Sequence, residues 1–164
     1  MVDISKWPLG RIEGLPDQVF GRRYPVSCFA NSTGAATAID VSEEMLPQRI
    51  MVWQLHIAPG KSGHLSSYVR IGLADDLPAD EDGFMKCVPL IRGFGAQGPE
   101  PRQITGYLNY ASWDLYLRMG VVTGGRRLAL LARSGTGGYA WAHVTVVVSS
   151  VPEKVPKWAI SAME

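Results

Sequence analysis

The residues that could do chemistry in this chain include a glycine-rich run of the kind that holds phosphate groups. Residues 93–98 read G-F-G-A-Q-G and match the dinucleotide pattern G-x-G-x-x-G. That pattern works only where a helix begins inside it, because the helix aims backbone N–H groups at the pyrophosphate. Here Pro99 and Pro101 follow at once and no helical period appears. We therefore expect a flexible turn, and the sequence predicts no cofactor.

A second short stretch, Gly60-Lys61-Ser62, is similar to the end of a phosphate-binding loop. The full pattern needs another glycine five residues before Gly60, and Leu55 stands there, in the middle of a predicted strand. We expect a hairpin loop without a bound phosphate.

The three histidines, His56, His64 and His143, are candidate metal ligands. The run from Pro59 to His64 resembles the first metal motif of the cupins, a jelly-roll family in which a Pro-Gly turn precedes His-x-His and a glutamate. Ser66 replaces the second histidine, and no glutamate follows in the next strand. A metal needs three or four converging ligands. We expect surface histidines and no metal, with a degenerate cupin-like enzyme around His64 as a third alternative.

The acidic loop of residues 75–83 offers oxygen atoms that Ca²⁺ would accept. Its spacing does not fit the EF-hand loop, and Pro78 stiffens its middle. A solvated surface loop is the better interpretation.

For nucleophilic catalysis, Ser134 is the residue closest to a known frame. The nucleophile elbow requires glycine two residues before the serine, and Ala132 occupies that position. No pair of carboxylates lies in a recognisable frame either, so we expect that the chain is not an enzyme.

Composition favours one all-β domain. The chain has 164 residues, enough for one core, and its 18 glycines and 11 prolines among 46 % hydrophobic residues predict short strands with sharp turns. The net charge of +1 is not that of a protein that neutralises many phosphates, so we expect no direct nucleic-acid partner. The first residues lack the features of a signal peptide and no apolar run would span a membrane, which predicts a soluble chain without a membrane partner.

The two cysteines, Cys28 and Cys87, lie far apart in sequence, each within an apolar run. We expect two buried, reduced thiols.

The stretch from Trp113 to Ser149 is the centre of the predicted fold. Three apolar runs are joined by glycine turns at 124–125 and 135–138, which predicts an antiparallel three-strand meander. Alternation places one set of side chains on the core face: Leu128, Leu130, Ala132, Ala140, Ala142, Val144, Val146 and Val148. The opposite face carries Tyr139, Trp141, His143 and Thr145.

Further strands are predicted at 26–31, 35–41, 50–58, 65–73, 84–92 and 103–110, with a capped helical turn at 42–45. A hairpin is expected between 50–58 and 65–73, and Met51, Trp53, Leu55 and Ile57 are expected on one buried side. The total of about eight or nine strands predicts an antiparallel two-sheet β-sandwich of jelly-roll type.

The two ends of the chain are predicted to be extended arms around a sandwich domain at 26–151. Residues 1–25 and 152–164 contain proline that interrupts regular structure, yet both hold aromatic and aliphatic residues that need a surface. Each arm is expected in a groove, either on its own domain or on neighbouring subunits.

The outward aromatic face of Tyr139, Trp141 and His143, with Tyr68, Tyr107 and Tyr116, has two interpretations. Aromatic residues facing out from a sheet can stack on sugars or dock a protein partner. Alternatively, the face packs on the arms of the same chain.

A β-sandwich with aromatic-containing arms resembles the small jelly-roll structural proteins of bacteriophage and virus particles, such as decoration, cement and vertex proteins. The resemblance implies a non-enzymatic protein of the virion, assembled in the host cytoplasm on copies of itself or on other structural proteins. It implies docking through the arms, with these residues as anchors: Trp7, Phe20, Arg22, Arg23, Tyr24 and Trp158. The alternative is a carbohydrate- or receptor-binding β-sandwich, with a surface glycan on the aromatic face.

Overall fold

The computed structural model describes residues 1–61, 67–90, 102–103 and 113–164, and within these it has two four-stranded antiparallel sheets. The outer sheet has the order β2-β9-β4-β7 and the second sheet the order β3-β8-β5-β6. The strands are β1 Val2–Asp3, β2 Tyr24–Thr33, β3 Thr37–Met45, β4 Arg49–Lys61, β5 Tyr68–Ala74, β6 Arg102–Gln103, β7 Trp113–Val122, β8 Arg127–Arg133, β9 Tyr139–Ser150 and β10 Lys154–Val155. The short helices are α1 Leu9–Glu13, α2 Glu81–Met85 and α3 Lys157–Ser161, with a 3₁₀ turn at Asp17–Val19.

The strand order is that of a jelly roll, which confirms the predicted all-β sandwich. From β2 to β5, and again from β7 to β9, each strand lies in the sheet opposite its predecessor. The predicted meander is therefore wrong: β7 pairs with β4, β8 with β3 and β5, and β9 with β2 and β4. The predicted hairpin between β4 and β5 is wrong for the same reason. Alternating hydrophobicity reports which face of a strand is buried and not which strand lies beside it.

The core between the sheets contains the side chains predicted to face inward from β8 and β9. Leu128, Leu130 and Ala132 are fully buried against Val144 and Val148. The predicted outward set on β9 is half-buried or exposed. The face assignment for these two strands is thus confirmed.

The buried side predicted for β4 is only half correct, because the strand contains a β-bulge. The pairing register shifts between Val52 and Gln54. Leu55 lies in the core between the sheets, whereas Trp53 lies on the outside of the outer sheet. An extra residue in a strand moves the following side chains to the other face.

Two local predictions are also corrected. Residues 42–45 continue β3 instead of forming a helical turn, and Ser42 Oγ accepts the backbone N–H of Leu128 in place of a helical amide. Within 84–92, residues up to Met85 belong to α2, where Asp80 Oδ1 accepts the N–H of Gly83 at 2.8 Å. In the described part of this stretch, up to residue 90, the one β-bridge joins Val88 to Leu73.

The chain ends are not extended arms, since both fold back on the outer sheet. β1 pairs with β10, so the two ends are joined to each other. A second apolar cluster, separate from the core between the sheets, then forms on Met51 and Trp53 from these residues of the ends: Ile4, Ile12, Leu15, Phe20, Val155 and Ala159. We call residues 1–20 and 152–164 together the terminal clasp. The sequence left two locations for the chain ends, a groove on their own domain or one on neighbouring subunits. The structure places both ends on their own domain.

Candidate functional site

The terminal clasp is held to the outer sheet by Arg49. Its guanidinium donates hydrogen bonds to the carbonyl oxygens of Ile4, Ser5 and Trp7, each at 3.0 Å. Partial burial lowers the pKa of Arg49 through desolvation, yet its ordinary value is so high that the side chain stays charged. One charged residue of β4 thus satisfies three backbone acceptors of the N-terminal segment.

Trp53 is the central ring beneath the clasp. Phe20 meets it edge-to-face with a centroid separation of 5.8 Å, and the guanidinium of Arg23 lies 3.7 Å from its ring centroid. The indole N–H donates to Ser149 Oγ at 2.7 Å. Asp17 joins the N-terminal segment to β7 through an ion pair with Arg118 at 2.8 Å, and it also forms an ion pair with Arg23 at 3.3 Å. These contacts occur within one chain.

The six predicted anchors are therefore placed in different surroundings. Phe20 is buried, and Trp7 is half-buried with the Arg11 guanidinium 4.2 Å from its ring centroid. Tyr24 packs on the core between the sheets, and Arg23 stacks on Trp53. Arg22 and Trp158 are exposed. Their role toward a partner stays a prediction.

Beyond the clasp, the outward side of the outer sheet carries exposed side chains, and we call this region, from Phe29 on β2 to Tyr116 on β7, the open half-face. A row of polar residues crosses all four strands in register, formed by Ser27, Thr145, His56 and Asp114. Ser27 Oγ and Thr145 Oγ1 share a hydrogen bond of 2.9 Å. His56 Nδ1 donates to Asp114 Oδ1 at 2.6 Å, and Gln54 Nε2 donates to the same oxygen at 3.1 Å.

These hydrogen bonds stabilise the anionic form of the carboxylate. The pKa of Asp114 is lowered by the hydrogen bond from His56 and then by that from Gln54, because both stabilise the anionic form. A carboxylate can only accept, so Nδ1 of His56 carries the proton of the shared bond. The second ring nitrogen of His56 and the second oxygen of Asp114 remain as further hydrogen-bonding atoms.

Aromatic rings flank this polar row. Phe29 is 54 % exposed and meets His143 edge-to-face at 6.4 Å, and Tyr116 is 81 % exposed. The indole of Trp141 lies above Gly60, where an added Cβ would come within 2.3 Å of its Nε1. The structure thus brings predicted residues Trp141 and His143 together on the open half-face.

Tyr139 lies at the start of β9, opposite Thr33 on β2, and is half-buried. Sequence reasoning did not single out Phe29. The alternation that buries Val26, Cys28 and Ala30 was the signal that could have found it.

A second surface is an apolar groove of about 380 Å³ at the β7 edge of the outer sheet. Its walls come from α1, from residues 88–90 and from the end of β7, and include Leu9, Val88, Pro89, Leu90, Met119, Val121 and Val122. Val122 is 52 % exposed at its margin. Glu13 Oε1 accepts the backbone N–H of Gly120 there at 3.0 Å, which occupies one amide of the edge strand.

The other candidate residues from the sequence either bond to residues of the fold or lie outside the described ranges. Ser134 is buried and its hydroxyl bonds to that of Ser32 at 2.9 Å. In the acidic loop, Asp75 pairs with Arg126 at 3.5 Å. The glycine run at 93–98, His64, Ser66 and Tyr107 lie outside the described residues.

The two cysteines differ in burial. Cys28 is buried, and burial raises the pKa of its thiol to about 12. Cys87 is only half-buried, although burial also raises its pKa. Both thiols are free.

Metal-binding clusters and membrane-spanning helices are both absent from the described ranges. No three histidine, cysteine or acidic side chains there converge on a common point that would suit a metal ion. No helix in those ranges has the length and apolar character needed to cross a membrane.

Comparison with known proteins gives distant structural likeness. No family model matches the sequence, and no curated protein matches it. The crystal structure of FlhE is similar with a TM-score of 0.41 and 9 % identity, covering 80 % of this chain and 97 % of that one. A chain of tomato aspermy virus (TM-score 0.35, 9 % identity, 84 % and 82 % covered) and one of maize chlorotic mottle virus (0.36, 10 %, 82 % and 99 %) are also similar. Likeness at these scores carries no argument about function.

Proposed function

We propose that the chain is a non-enzymatic structural subunit of a symmetric particle, such as a virion, and that it assembles through the surface of its folded body. The observation that carries the proposal is the apolar groove beside β7. A concave apolar groove can receive an anchoring side chain of a protein partner. Copies of the same chain are the partner that we assign to it.

The side chain that we assign to the groove of a neighbouring copy is Trp158. It is 53 % exposed on α3, while its neighbour Ala159 is fully buried in the clasp. Tryptophan is enriched among the residues that dominate binding energy, and it needs a pocket of apolar walls. The clasp fixes the helix that carries it, so little conformational entropy is lost on docking.

In this proposal the chain docks on its neighbours through its folded-back C-terminal end, whereas the sequence predicted docking through extended arms. Groove and tryptophan are different surfaces of one chain, and we assign them a heterologous contact, which generates a ring or a larger array, whereas a two-fold dimer would pair the two surfaces reciprocally. In the heterologous arrangement every subunit contacts two neighbours through this pair. That valency suits a shell component.

The test uses two variants that each remove one side of the contact. Trp158→Ala removes the inserting side chain, and Val122→Asp places a charge at the groove margin. Both residues are exposed, so we expect both variants to fold. Light scattering after size-exclusion chromatography should find each variant monomeric where the wild-type chain is associated.

Mixing the two variants gives the sharper readout. The groove of Trp158→Ala can receive Trp158 of the Val122→Asp chain, so the mixture should contain a dimer and nothing larger. Met45→Ala, at a side chain that is 61 % exposed outside the groove, is the matched control and should associate like wild type. Association of both single variants at the wild-type level would refute the proposed contact.

A further inference from the structure

We propose that the open half-face of the outer sheet binds a neutral oligosaccharide. This inference does not rest on self-assembly, since it uses neither the groove nor Trp158. It rests on the arrangement of exposed rings and hydrogen-bonding side chains on one face of the sheet.

The rings provide the stacking surfaces. Phe29 and Tyr116 are exposed by 54 % and 81 %, and they lie on the two edge strands of the sheet. An aromatic face is a large apolar contact area with little side-chain entropy to lose. The C–H face of a pyranose ring can stack on such an aromatic surface. The charged groups of an anionic polymer gain nothing from that contact.

The polar row between the rings supplies directional contacts. Thr145 and His56 are cross-strand partners in the middle of the sheet, and Asp114 lies next to His56. The hydrogen bonds of Thr145 with Ser27 and of His56 with Asp114 fix these side chains before any ligand arrives, yet each group keeps a further donor or acceptor. Donors and acceptors that are held in fixed positions can form hydrogen bonds with the hydroxyl groups of a sugar, since a hydroxyl group both donates and accepts.

Charge selects against an anionic ligand. Asp114 is the acidic member of the polar row, and its lowered pKa keeps it ionised. Among the described residues, Arg118 on the same strand as Asp114 bonds to Asp17 of the clasp. A surface that presents a carboxylate and neutral donors favours a neutral polyol over a phosphate or a sulfated sugar.

The separation of the rings indicates a ligand longer than one sugar. Three strand spacings separate β2 from β7, which is about 14 Å. Tyr116 is in register with Gln54, Val147 and Pro25, and Phe29 lies four residues beyond Pro25 along β2, about 13 Å further. The diagonal between the rings crosses the row of His56 and Thr145. An extended oligosaccharide can contact both rings and the polar row at once.

The experiment uses the full chain in the Val122→Asp background, so that self-association plays no part. Three immobilised hexasaccharides serve as probes, made of β-1,4-linked glucose, mannose or N-acetylglucosamine, and the best binder is then titrated by calorimetry. We expect saturable binding, with Tyr116→Ala and Phe29→Ala each weakening it about tenfold. Leu77→Ala, at an exposed apolar residue of the acidic loop, is the control and should bind like the parent.

Three results would overturn the inference. One is no saturable binding to any probe; another is unchanged affinity in both aromatic variants. The third is tighter binding of a sulfated hexasaccharide that salt abolishes, since that would indicate a charged ligand. Because Tyr116 and Phe29 are exposed, circular dichroism of the two variants should match the parent, and a loss of binding then reports contact.

Discussion

Asp40 accepts the backbone N–H of Phe29 at 3.0 Å, from a strand of one sheet to an edge strand of the other. Phe29 belongs to β2, an edge strand that pairs with β9 alone among the described strands. At the opposite edge of the same sheet, Glu13 accepts the N–H of Gly120. Both edges of the outer sheet therefore have an amide occupied by a carboxylate. Charged groups at sheet edges oppose pairing with strands of other molecules.

Removing the carboxylate of Asp40 should open the β2 edge. We expect Asp40→Ala to lower the free energy of unfolding by about 1 kcal/mol, for the lost hydrogen bond, and to aggregate faster on incubation. Light scattering and thioflavin fluorescence measure the second effect. Asp76→Ala makes the same charge change in the acidic loop and controls for net charge. Equal aggregation rates in the two variants would argue against edge protection.

Arg49 should be the main attachment of the N-terminal segment. In Arg49→Ala the carbonyl groups of Ile4, Ser5 and Trp7 lose their shared donor, and we expect stability to fall by about 2 kcal/mol. Amide hydrogen exchange should rise in residues 2–7 more than in β8. Arg22→Ala, at an exposed arginine, should leave both measurements unchanged. Exchange that rises equally throughout the chain would contradict a local clamp.

Deleting residues 1–20 should destabilise the sandwich. The deletion uncovers Met51 and Trp53, both now buried beneath the clasp, and exposes their apolar area to water. We expect a lower melting temperature and increased binding of a hydrophobic dye. A truncated chain that melts like the intact one would show that the clasp contributes no stability. If the ends were free arms, the truncated chain would melt like the intact one. The melting temperature therefore distinguishes free arms from the terminal clasp.

Cys28 should make stability depend on alkaline pH. Its thiol has a pKa of about 12 when folded, above its ordinary value of 9.0, so the folded state retains a proton that the unfolded state releases. This contribution is complete below pH 9 and is lost as pH rises toward 12, at about 1.4 kcal/mol per pH unit. Urea unfolding at pH 9.5 and 10.5 should show a steeper loss in wild type than in Cys28→Ala. Parallel losses would contradict the shift.

Residues whose surroundings are set by the strand period were predictable from the sequence. Val144 inward and Trp141 outward follow from alternation, and both are found so. Trp53 was placed on the wrong side because a bulge adds one residue to β4, which a pattern of period two does not reveal. Strand order in a jelly roll is set by long-range pairing, so the Trp113–Ser149 stretch looked like a meander although its strands lie in alternate sheets.

The candidate surfaces were predictable to a smaller extent. The outward position of His143 followed from its strand, but its contact with Phe29 depends on the pairing of β2 with β9, two strands that lie far apart in the sequence. The clasp was foreseen only as apolar residues that need a surface. Contacts with Arg49 and Trp53 determine which surface these residues cover. The local sequence around these two residues does not indicate that role.

Association of folded copies through insertion of Trp158 into the groove at β7 can be measured by sedimentation velocity of the intact chain over a range of concentrations. We expect species larger than the monomer that grow with concentration and disappear in Trp158→Ala. A wild-type chain that sediments as one monomer at every concentration, or a Trp158→Ala chain that associates like wild type, would contradict it.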